Sequence, residues 1–591
     1  MTQQHLEALR QLMRDKNVDA VIVPGTDPHH SEYVCDYWKF RDWLTGFTGS
    51  NGTAVVTAND AGLWTDSRYF LQAEQELAGS GFSLHREAVA GEATIEEWLA
   101  ANLGEDAMLA LDGRLFSLLD VNRYENFCAE NGFMFAPDFP MADILWQDRP
   151  SRPMNKAFVH DETLAGEAVN EKVERLVEKI EEQGCDSIFI SSLDEIAWLY
   201  NLRGSDVACT PVAIAYAYVS DRDRVLFIDG DKLTPEVKAH LEKYKIRVRD
   251  YDDVEHFLGH RNTDNMILLD PNTVSDAMGQ ALLCGKVYAQ SPIIAMKAVK
   301  NKAQIDGFRR AHERDGVALV RLMRWLEQAV PAGGVTELDV ASRAIEERSR
   351  EDLYCEESFD MIAGYKEHGA IVHYSATPAS AATLAPEGLL LIDTGGQYQD
   401  GTTDITRTIT LGHATAGERH DYTLVLKGHL ALARARFPQG TCGVQLDALA
   451  RMPLWLEGLS YGHGTGHGVG HFLGCHEGPH SIRTNLNPTA LLPGMVTSDE
   501  PGVYKTGEYG IRIENLLLVV EGEENEFGSF LQFENLTLFP YDRRLIDVAM
   551  LTREEIAQVD EYHRIVAECL SPRLTAEEQA WLADKCRPLG E

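Results

Sequence analysis

Acidic residues at the ends of apolar strands are the feature that most constrains how this chain can fold. The segment 389–411 reads LLLIDTGGQYQDGTTDITRTITL, in which an apolar run leads into Asp393, a glycine-rich turn follows, and Asp404 precedes a β-branched strand. Two strands joined by such a turn form a hairpin. The hairpin would bring both carboxylates to one edge of a sheet, although pairs of aspartates are also common in turns that bind no metal.

A second segment, 495–520, repeats this plan. In MVTSDEPGVYKTGEYGIRIENLLLVV, an apolar strand is followed by Glu500, a turn, and a strand that carries Glu514. Pro501 and the glycine after it favour a turn directly after Glu500. Glu514 lies within an apolar run, where an ionised carboxylate is costly unless it is paired or bound to a metal. The repeated layout favours a metal site built from both hairpins.

A histidine-rich segment, YGHGTGHGVGHFLGCHEGPH, occupies 461–480. Its glycines argue against a helix, and therefore against a helical HExxH zinc site. They also allow the backbone to approach a site closely. Its histidines are His463, His467, His471, His476 and His480.

Taken together, these stretches predict a dinuclear metal centre. Four carboxylates and one imidazole form a hard, oxygen-rich set that suits two divalent ions sharing a bridging hydroxide. Mn²⁺ is the leading candidate, with Zn²⁺ and Co²⁺ as alternatives. The predicted ligands are Asp393, Asp404, His467, Glu500 and Glu514.

The first half of the chain contains an internal repeat. WLTGFTGSN begins at Trp43 and WLYNLRGSD begins at Trp198, and each follows an apolar strand, at 19–24 and 186–191. A segment with helical periodicity precedes each strand. The repeat predicts two similar α/β domains. Neither copy contains a cluster of metal-type ligands or a glycine-rich phosphate loop, so both are interpreted as scaffolding or as walls around a site elsewhere.

Two breaks set the predicted domain limits. The Pro- and Arg-containing segment 149–156 separates the copies, and a long helix that Pro331 stops begins near the end of the second copy. The tail after the last strand shows an amphipathic helical pattern. We therefore expect an N-terminal α/β domain, a related α/β domain and a catalytic domain with a C-terminal helical extension, at residues 1–155, 156–300 and 301–591.

Charge and cysteine usage narrow the function classes. Lys+Arg is 54 against Asp+Glu 92, a net charge of −38 that would repel nucleic acids and anionic lipids. No apolar run approaches the roughly 20 residues that span a bilayer, and the N-terminus lacks the pattern of a signal peptide. The ten cysteines form no CxxC pair, which favours reduced thiols in the cytoplasm.

The order of these motifs resembles that of the pita-bread metallopeptidases, which include aminopeptidase P, prolidase and methionine aminopeptidase. The best match is the long, three-domain form of cytosolic aminopeptidase P (Xaa-Pro aminopeptidase). The resemblance covers essentially the whole chain, because GFTGSNG and LRGSD match the two non-catalytic domains of that form. The catalytic motifs are AIVHY (370–374), DGTTDITRT (400–408), HGTGHGVG (463–470) and GIRIEN (510–515).

This resemblance implies two creatinase-like α/β domains followed by a pita-bread catalytic domain. It implies a metal-dependent aminopeptidase that releases the first residue of peptides with proline in second position, and a homodimer. Asp393 would hold one metal, Asp404 and Glu514 would bridge both, and His467 and Glu500 would complete the shell of the other.

The resemblance also implies roles around the metals. His373, His463 and His476 would surround the substrate and the tetrahedral intermediate, and Arg512 would support the ligands. Tyr504 would form part of the proline pocket. Two other histidines are expected to be structural or peripheral: His471, where relatives often carry a small residue, and His480, expected at the surface or in a loop.

The implied mechanism is attack of the bridging hydroxide on the carbonyl carbon of the first residue. A metal and His463 or His476 would stabilise the oxyanion. Glu500 would accept the proton of the water and pass it towards the proline nitrogen.

Three alternatives follow from the same motifs. Prolidase cleaves dipeptides, but its relatives usually have one N-terminal domain. Methionine aminopeptidase lacks both extra domains. A non-enzymatic binding module would typically have lost metal ligands, whereas all five are present here.

Overall fold

The computed structural model describes residues 2–590. The chain divides into two compact units, Met1–Asp161 with Glu167–Ile294, and Glu162–Gly166 with Ala295–Glu591. Among the described residues, no helix is both long and apolar enough to cross a lipid bilayer.

The α-helices and β-strands are numbered in chain order. The helices are α1 Thr2–Lys16, α2 Phe40–Thr45, α3 Phe70–Glu76, α4 Ile95–Asn102, α5 Leu118–Asn131, α6 Met141–Leu145, α7 Glu162–Ala165, α8 Val169–Glu182, α9 Leu193–Leu199, α10 Pro235–Lys243, α11 Val254–Gly259, α12 Asp276–Ala281, α13 Pro292–Ala298, α14 Lys302–Ala332, α15 Glu337–Arg348, α16 Ala416–Ala433, α17 Gly443–Trp455, α18 Arg553–Leu570 and α19 Ala576–Lys585. The strands are β1 Ala20–Val23, β2 Thr53–Thr57, β3 Ala61–Thr65, β4 Ser83–Arg86, β5 Met108–Ala110, β6 Met134–Ala136, β7 Phe158–Val159, β8 Ser187–Ile190, β9 Leu202–Arg203, β10 Tyr216–Ser220, β11 Arg224–Phe227, β12 Arg247–Arg249, β13 Met266–Leu269, β14 Gly285–Tyr288, β15 Tyr354–Glu357, β16 Ile362–Tyr365, β17 Leu389–Thr394, β18 Gly396–Tyr398, β19 Gly401–Thr402, β20 Ile405–Thr410, β21 Arg436–Pro438, β22 Gly466–His467, β23 Ser481–Ile482, β24 Val496–Asp499, β25 Gly502–Lys505, β26 Tyr509–Arg512, β27 Asn515–Asn525 and β28 Gly528–Asn535.

The first unit contains two six-stranded sheets with the same plan. Their strand orders are β4-β3-β2-β1-β5-β6 and β12-β11-β10-β8-β13-β14. In each sheet the strand predicted from the repeat, β1 or β8, is antiparallel to one neighbour and parallel to the other. The internal repeat therefore corresponds to two copies of one topology.

Each repeat begins with an amphipathic helix that covers its sheet. In α8, Val173, Leu176 and Ile180 recur at helical spacing and are buried. Gly184 follows in the left-handed region, with φ 74°, where glycine is favoured because it lacks Cβ. The helical segment predicted before β8 is confirmed.

Two buried lysines of the first unit have polar partners. Lys232 Nζ lies 2.6 Å from Asp206 Oδ2, and both side chains are buried. Lys172 Nζ donates hydrogen bonds to Trp198 O at 2.8 Å and to Asn201 Oδ1 at 2.7 Å. Burial lowers the pKa of Lys172 to about 7.

The second unit is built on the 31-residue helix α14. The side chain of Asn301 caps it by accepting a hydrogen bond from Gln304 N at 3.0 Å, so the helix begins slightly beyond the end of the second copy. Pro331 lies in its last turn, where the prediction placed the helix end. Two sheets, β16-β17-β20 and β21-β28-β27-β24, position the residues described next. The predicted C-terminal helical extension corresponds to α18 and α19.

Candidate metal centre

The first acidic hairpin forms as predicted. Strands β17 and β20 pair antiparallel, with Asp393 opposite Thr406. Asp404 directly precedes β20, and both aspartates are buried. Because β17 lies between β16 and β20, Asp393 is held by a neighbouring strand on each side.

The second acidic segment places its two glutamates just beyond one end of a pair of antiparallel strands. Asp499, the last residue of β24, pairs with Asn515, the first residue of β27. Glu500 and Glu514 directly flank this pair, while β25 and β26 form a separate hairpin between them. Glu514 therefore lies where the chain leaves one sheet and enters another, and not inside a continuous strand.

Hydrogen bonds join the two segments to each other. Thr406 Oγ1 donates to Glu514 Oε2 at 2.8 Å, and Glu514 N donates to Thr406 O at 3.0 Å. The carboxylate of Glu514 is thus fixed against β20, the strand that also pairs with Asp393.

His467 is oriented by its backbone and by its other ring nitrogen. Its backbone N–H donates to Ser498 Oγ at 2.9 Å, and its Nδ1 donates to Gly468 O at 2.9 Å. This leaves Nε2 as the acceptor nitrogen, the tautomer that a metal ligand needs. Nε2 lies 3.5 Å from Asp404 Oδ2 and 3.6 Å from Glu500 Oε1.

All five predicted ligands therefore converge. They form three overlapping groups in which the side-chain ligand atoms lie within 4.8 Å of one another. His476 joins one group, with its ring centroid 4.4 Å from that of His467. The groups are Asp404–His467–His476, His467–Glu500–Glu514 and Asp393–Asp404–Glu514.

The electrostatics of this cluster favour bound cations. Burial raises the pKa of Glu514 well above its usual value, and the carboxylates of Asp404, Glu500 and Asp393 raise it further. Burial also raises the pKa values of Asp393 and Glu500, although Arg512 opposes the shift at Asp393. Within residues 2–590, neither Asp393 Oδ1 nor Asp404 Oδ1 has a hydrogen-bond partner. Buried carboxylate oxygens without donors fit a pair of divalent ions.

Arg512 links one ligand to a predicted substrate residue. It is buried, and its Nε donates to Asp393 Oδ2 at 3.1 Å. Its Nη1 donates to Tyr504 Oη at 2.7 Å, and that hydroxyl lies 2.7 Å from His463 Nε2. Since His463 Nδ1 donates to Gly464 O at 2.7 Å, Nε2 accepts from Tyr504. The chain Arg512–Tyr504–His463 fixes the tautomer of His463.

His373 lies on a different part of the unit, three residues after the short 3₁₀ segment Lys366–Ala370. Its side chain is partly buried. The preceding residue, Val372, accepts a hydrogen bond through its carbonyl from Arg512 Nη2 at 3.4 Å. This contact brings the AIVHY segment next to the residues that hold Asp393.

A buried pair on α17, which the sequence analysis missed, supports the glycine-rich loop. Arg451 donates to Asp447 Oδ2 at 2.6 Å and to the carbonyls of Tyr461 and His463, both at 2.8 Å. Asp447 Oδ1 accepts from Thr465 Oγ1 at 2.6 Å. The i,i+4 spacing of this pair is that of an ordinary helix-surface ion pair, so the sequence alone gave no signal for it.

His480 lies in a loop, one of the two expected places, but its side chain is buried. It is 2% exposed and not at the surface, because β23 pairs with β22 and draws the preceding residue inside. His480 Nε2 donates to Val496 O at 2.9 Å, and burial lowers its pKa to about 4. His471 is also buried, with its ring against Phe308 at 5.5 Å between centroids. Its structural role stays a prediction.

Family models match most of the chain. Creatinase/Prolidase N-terminal domains match residues 5–135 and 148–304. The Metallopeptidase family M24 matches residues 306–521, and the C-terminal region of peptidase M24 matches 529–589. The chain belongs to metallopeptidase family M24. The predicted fold, two creatinase-like domains followed by a pita-bread domain, is confirmed.

Full-length relatives agree with this membership. Aminopeptidase P2 of Arabidopsis thaliana is 40% identical over 99% of this chain and 88% of the relative. Xaa-Pro aminopeptidase 1 of Dictyostelium discoideum is 37% identical over 99% of this chain and 96% of the relative. The crystal structure of X-prolyl aminopeptidase from Caenorhabditis elegans, described as a cytosolic enzyme with a di-nuclear active site, is 34% identical, with a TM-score of 0.96 and complete coverage of both chains.

Proposed function

We propose that this M24 chain is an Xaa-Pro aminopeptidase that releases the first residue of peptides with proline in second position. One observation carries the proposal: the four carboxylates and His467 converge within 4.8 Å in overlapping groups, in a chain that matches Xaa-Pro aminopeptidases along its full length. The same ligands would serve any M24 hydrolase, so the preference for proline depends on the relatives.

Asp393, Asp404, His467, Glu500 and Glu514 would hold two divalent ions. When bound, such ions polarise a peptide carbonyl and lower the pKa of a water molecule. The lack of hydrogen-bond partners at Asp393 Oδ1 and Asp404 Oδ1 supports their role as ligands. We propose Mn²⁺ as the native metal, because the set is dominated by carboxylates, with Zn²⁺ and Co²⁺ as alternatives.

Glu500 would move the proton in hydrolysis. Its pKa is raised above the usual value by burial, so this carboxylate accepts a proton more readily than an exposed glutamate does, as a general base requires. Its Oε2 lies 3.7 Å from His463 Nδ1. The proton taken up at Glu500 would be delivered to the proline nitrogen as that bond breaks.

Histidines would orient the substrate. His463 is held by Tyr504 and His476 lies against His467. Both would stabilise the oxyanion or the substrate carbonyl, together with His373. Tyr504 connects Arg512 and His463 through its hydroxyl, and its partly buried ring would form one wall of the proline pocket.

A substrate panel tests this function. Protein loaded with Mn²⁺ should release the first residue from Xaa-Pro-Yaa peptides, and more slowly or not at all from Xaa-Pro dipeptides and Met-Ala-Yaa peptides. Cleavage restricted to Xaa-Pro would indicate a prolidase. Release only from Met-Ala-Yaa would indicate a methionine aminopeptidase, and no activity with Mn²⁺, Zn²⁺ or Co²⁺ would indicate a binding module.

We also propose that the protein is a homodimer in the cytoplasm, without nucleic-acid or membrane partners, and that its domains end near 155 and 300. Exposed apolar side chains at the end of α17, with Trp455 48% and Leu456 81% exposed, support a protein–protein contact there. All ten cysteines are free thiols, which supports a reducing compartment.

Leu456→Glu should lower the mass measured by light scattering from that of a dimer to that of a monomer, and an unchanged mass would place the contact elsewhere.

A further inference from the structure

A buried carboxylate outside the metal centre has no role in the function proposed above. Glu337 is the first residue of α15, and its side chain is 0% exposed. The cap of this helix is made by Thr336 and Asp339, whose side chains each accept a hydrogen bond from the backbone N–H of the other, so Glu337 is not needed for it. Burial of an ionised carboxylate lowers the stability of the fold by several kcal/mol unless hydrogen bonds compensate it. The donors around Glu337 therefore indicate what it holds in place.

Four donors surround this carboxylate. Oε1 accepts from Tyr365 N at 2.8 Å and from His368 Nδ1 at 2.9 Å. Oε2 accepts from Tyr374 Oη at 2.9 Å and from Ala382 N at 2.7 Å. The position at the helix N-terminus also favours a negative charge. The hydrogen bond from His368 raises the pKa of that imidazole, which favours an ion pair.

All four donors come from one segment of the chain. Tyr365 is the last residue of β16, and Ala382 lies where the chain returns to α15, because Glu337 N donates to Ala382 O at 3.1 Å. Glu337 therefore ties the two ends of the segment 365–382 to one point. The contacts from His368 and Tyr374 tie its middle to the same point.

The segment held in this way carries His373. Tyr374, whose hydroxyl reaches Glu337, is the next residue, and Val372 on the other side accepts from Arg512. Much of the remaining segment is exposed, including Ser375 and Thr377. The position of His373 is thus set by two anchors: Arg512 from the metal centre and Glu337 from the helix.

We propose that Glu337 is a positioning residue for the hydrolytic reaction, which acts by holding the segment 365–382 so that His373 faces the substrate. This proposal rests on the role proposed for His373. It assigns no contact between Glu337 and the substrate. A displacement of about 1 Å at a catalytic group can lower the rate about 10²-fold, so loosening this anchor should be visible in kcat.

A double-mutant cycle tests the proposal on the full-length protein loaded with Mn²⁺. Glu337→Gln should lower kcat on an Xaa-Pro-Yaa peptide about 10²-fold, with bound metal unchanged. In a His373→Ala background, the same substitution should lower kcat less than about twofold, because there is no imidazole left to position. An equal loss in both backgrounds would show that Glu337 acts only on the fold, and would overturn the proposal.

Two further variants keep the result interpretable. Tyr374→Phe removes one hydroxyl and leaves the carboxylate its other three donors, so it should give a smaller loss that is also absent in the His373→Ala background. Glu346→Gln makes the same chemical change on the exposed face of α15 and should leave kcat unchanged. A wild-type kcat for His373→Ala would overturn the role of His373 in the proposed function, and this proposal with it.

Discussion

Both compact units bury charged side chains in balanced pairs, such as Arg451 with Asp447 in the second unit, but only the metal centre of the second unit gathers several carboxylates around a single cation. In the first unit Lys232 meets Asp206 at 2.6 Å, and Lys172 donates to a carbonyl and an amide oxygen. In the second unit, Asp393, Asp404, Glu500 and Glu514 converge with one arginine, Arg512, bound to Asp393. A buried charge that is balanced by an opposite charge within the chain serves the fold, whereas an excess of one charge favours a bound cation.

The sharpest test of this contrast concerns Glu500. Glu500→Gln should lower kcat by about 10²- to 10⁴-fold, the range that proton transfer contributes to catalysis, while the fold is kept. Steady-state kinetics and circular dichroism measure both quantities. Glu521→Gln, on the exposed part of β27, is the matched control and should have wild-type kinetics. A Glu500→Gln enzyme with normal kcat would contradict the proton-transfer role.

The complementary test breaks a buried ion pair in the first unit. Lys232→Met leaves Asp206 buried without its cation and should lower the free energy of unfolding by about 3–5 kcal/mol, as measured by urea denaturation. Combining it with Asp206→Leu should restore most of that loss. The kcat of the folded protein should stay unchanged, and a selective loss of activity would mean that this pair also serves the reaction.

Removal of metal should affect stability only through the second unit. Ions at 100 times their dissociation constant add about 2.7 kcal/mol to the stability of the folded chain, so chelation should lower the melting temperature. Glu514→Gln should weaken this dependence on metal, while Lys232→Met should retain it. A melting temperature that is insensitive to both chelation and added Mn²⁺ would contradict a metal site here.

The smallest expected effect is a dependence of stability on pH in the metal-free chain. The pKa of Glu514 is raised in the folded state by burial and then by neighbouring carboxylates. The folded chain therefore binds this proton more tightly than the unfolded chain, whose glutamate pKa is about 4.3. The resulting stability is present below the unfolded pKa and is lost as the pH rises through the folded one. Denaturation midpoints of metal-free protein should fall over this range, and Glu514→Gln should flatten the fall.

The sequence predicted the parts of the site that depend on local pattern. The Asp393 hairpin and the strand β8 were predicted from short apolar runs bounded by turn residues, a pattern that spans only a few positions. The break at Glu514 was not predicted, because IRIENLLLVV reads as one strand although its two halves pair with different partners. The burial of His480 and the contacts of Glu337 depend on residues far away in the chain, and no local pattern marks them.

Glu514 lies between β26 and β27, which belong to different sheets, and this affects how the sheets are held together. The proposed ligands belong to, or adjoin, three separate sheets: β16-β17-β20, β22-β23 and β21-β28-β27-β24. Ions bound between them would act as a reversible cross-link, comparable in effect to a disulfide that closes several loops at once. The amide hydrogens of β17, β22 and β24 should then exchange with solvent as one cooperative group in the loaded protein, and as separate groups after chelation.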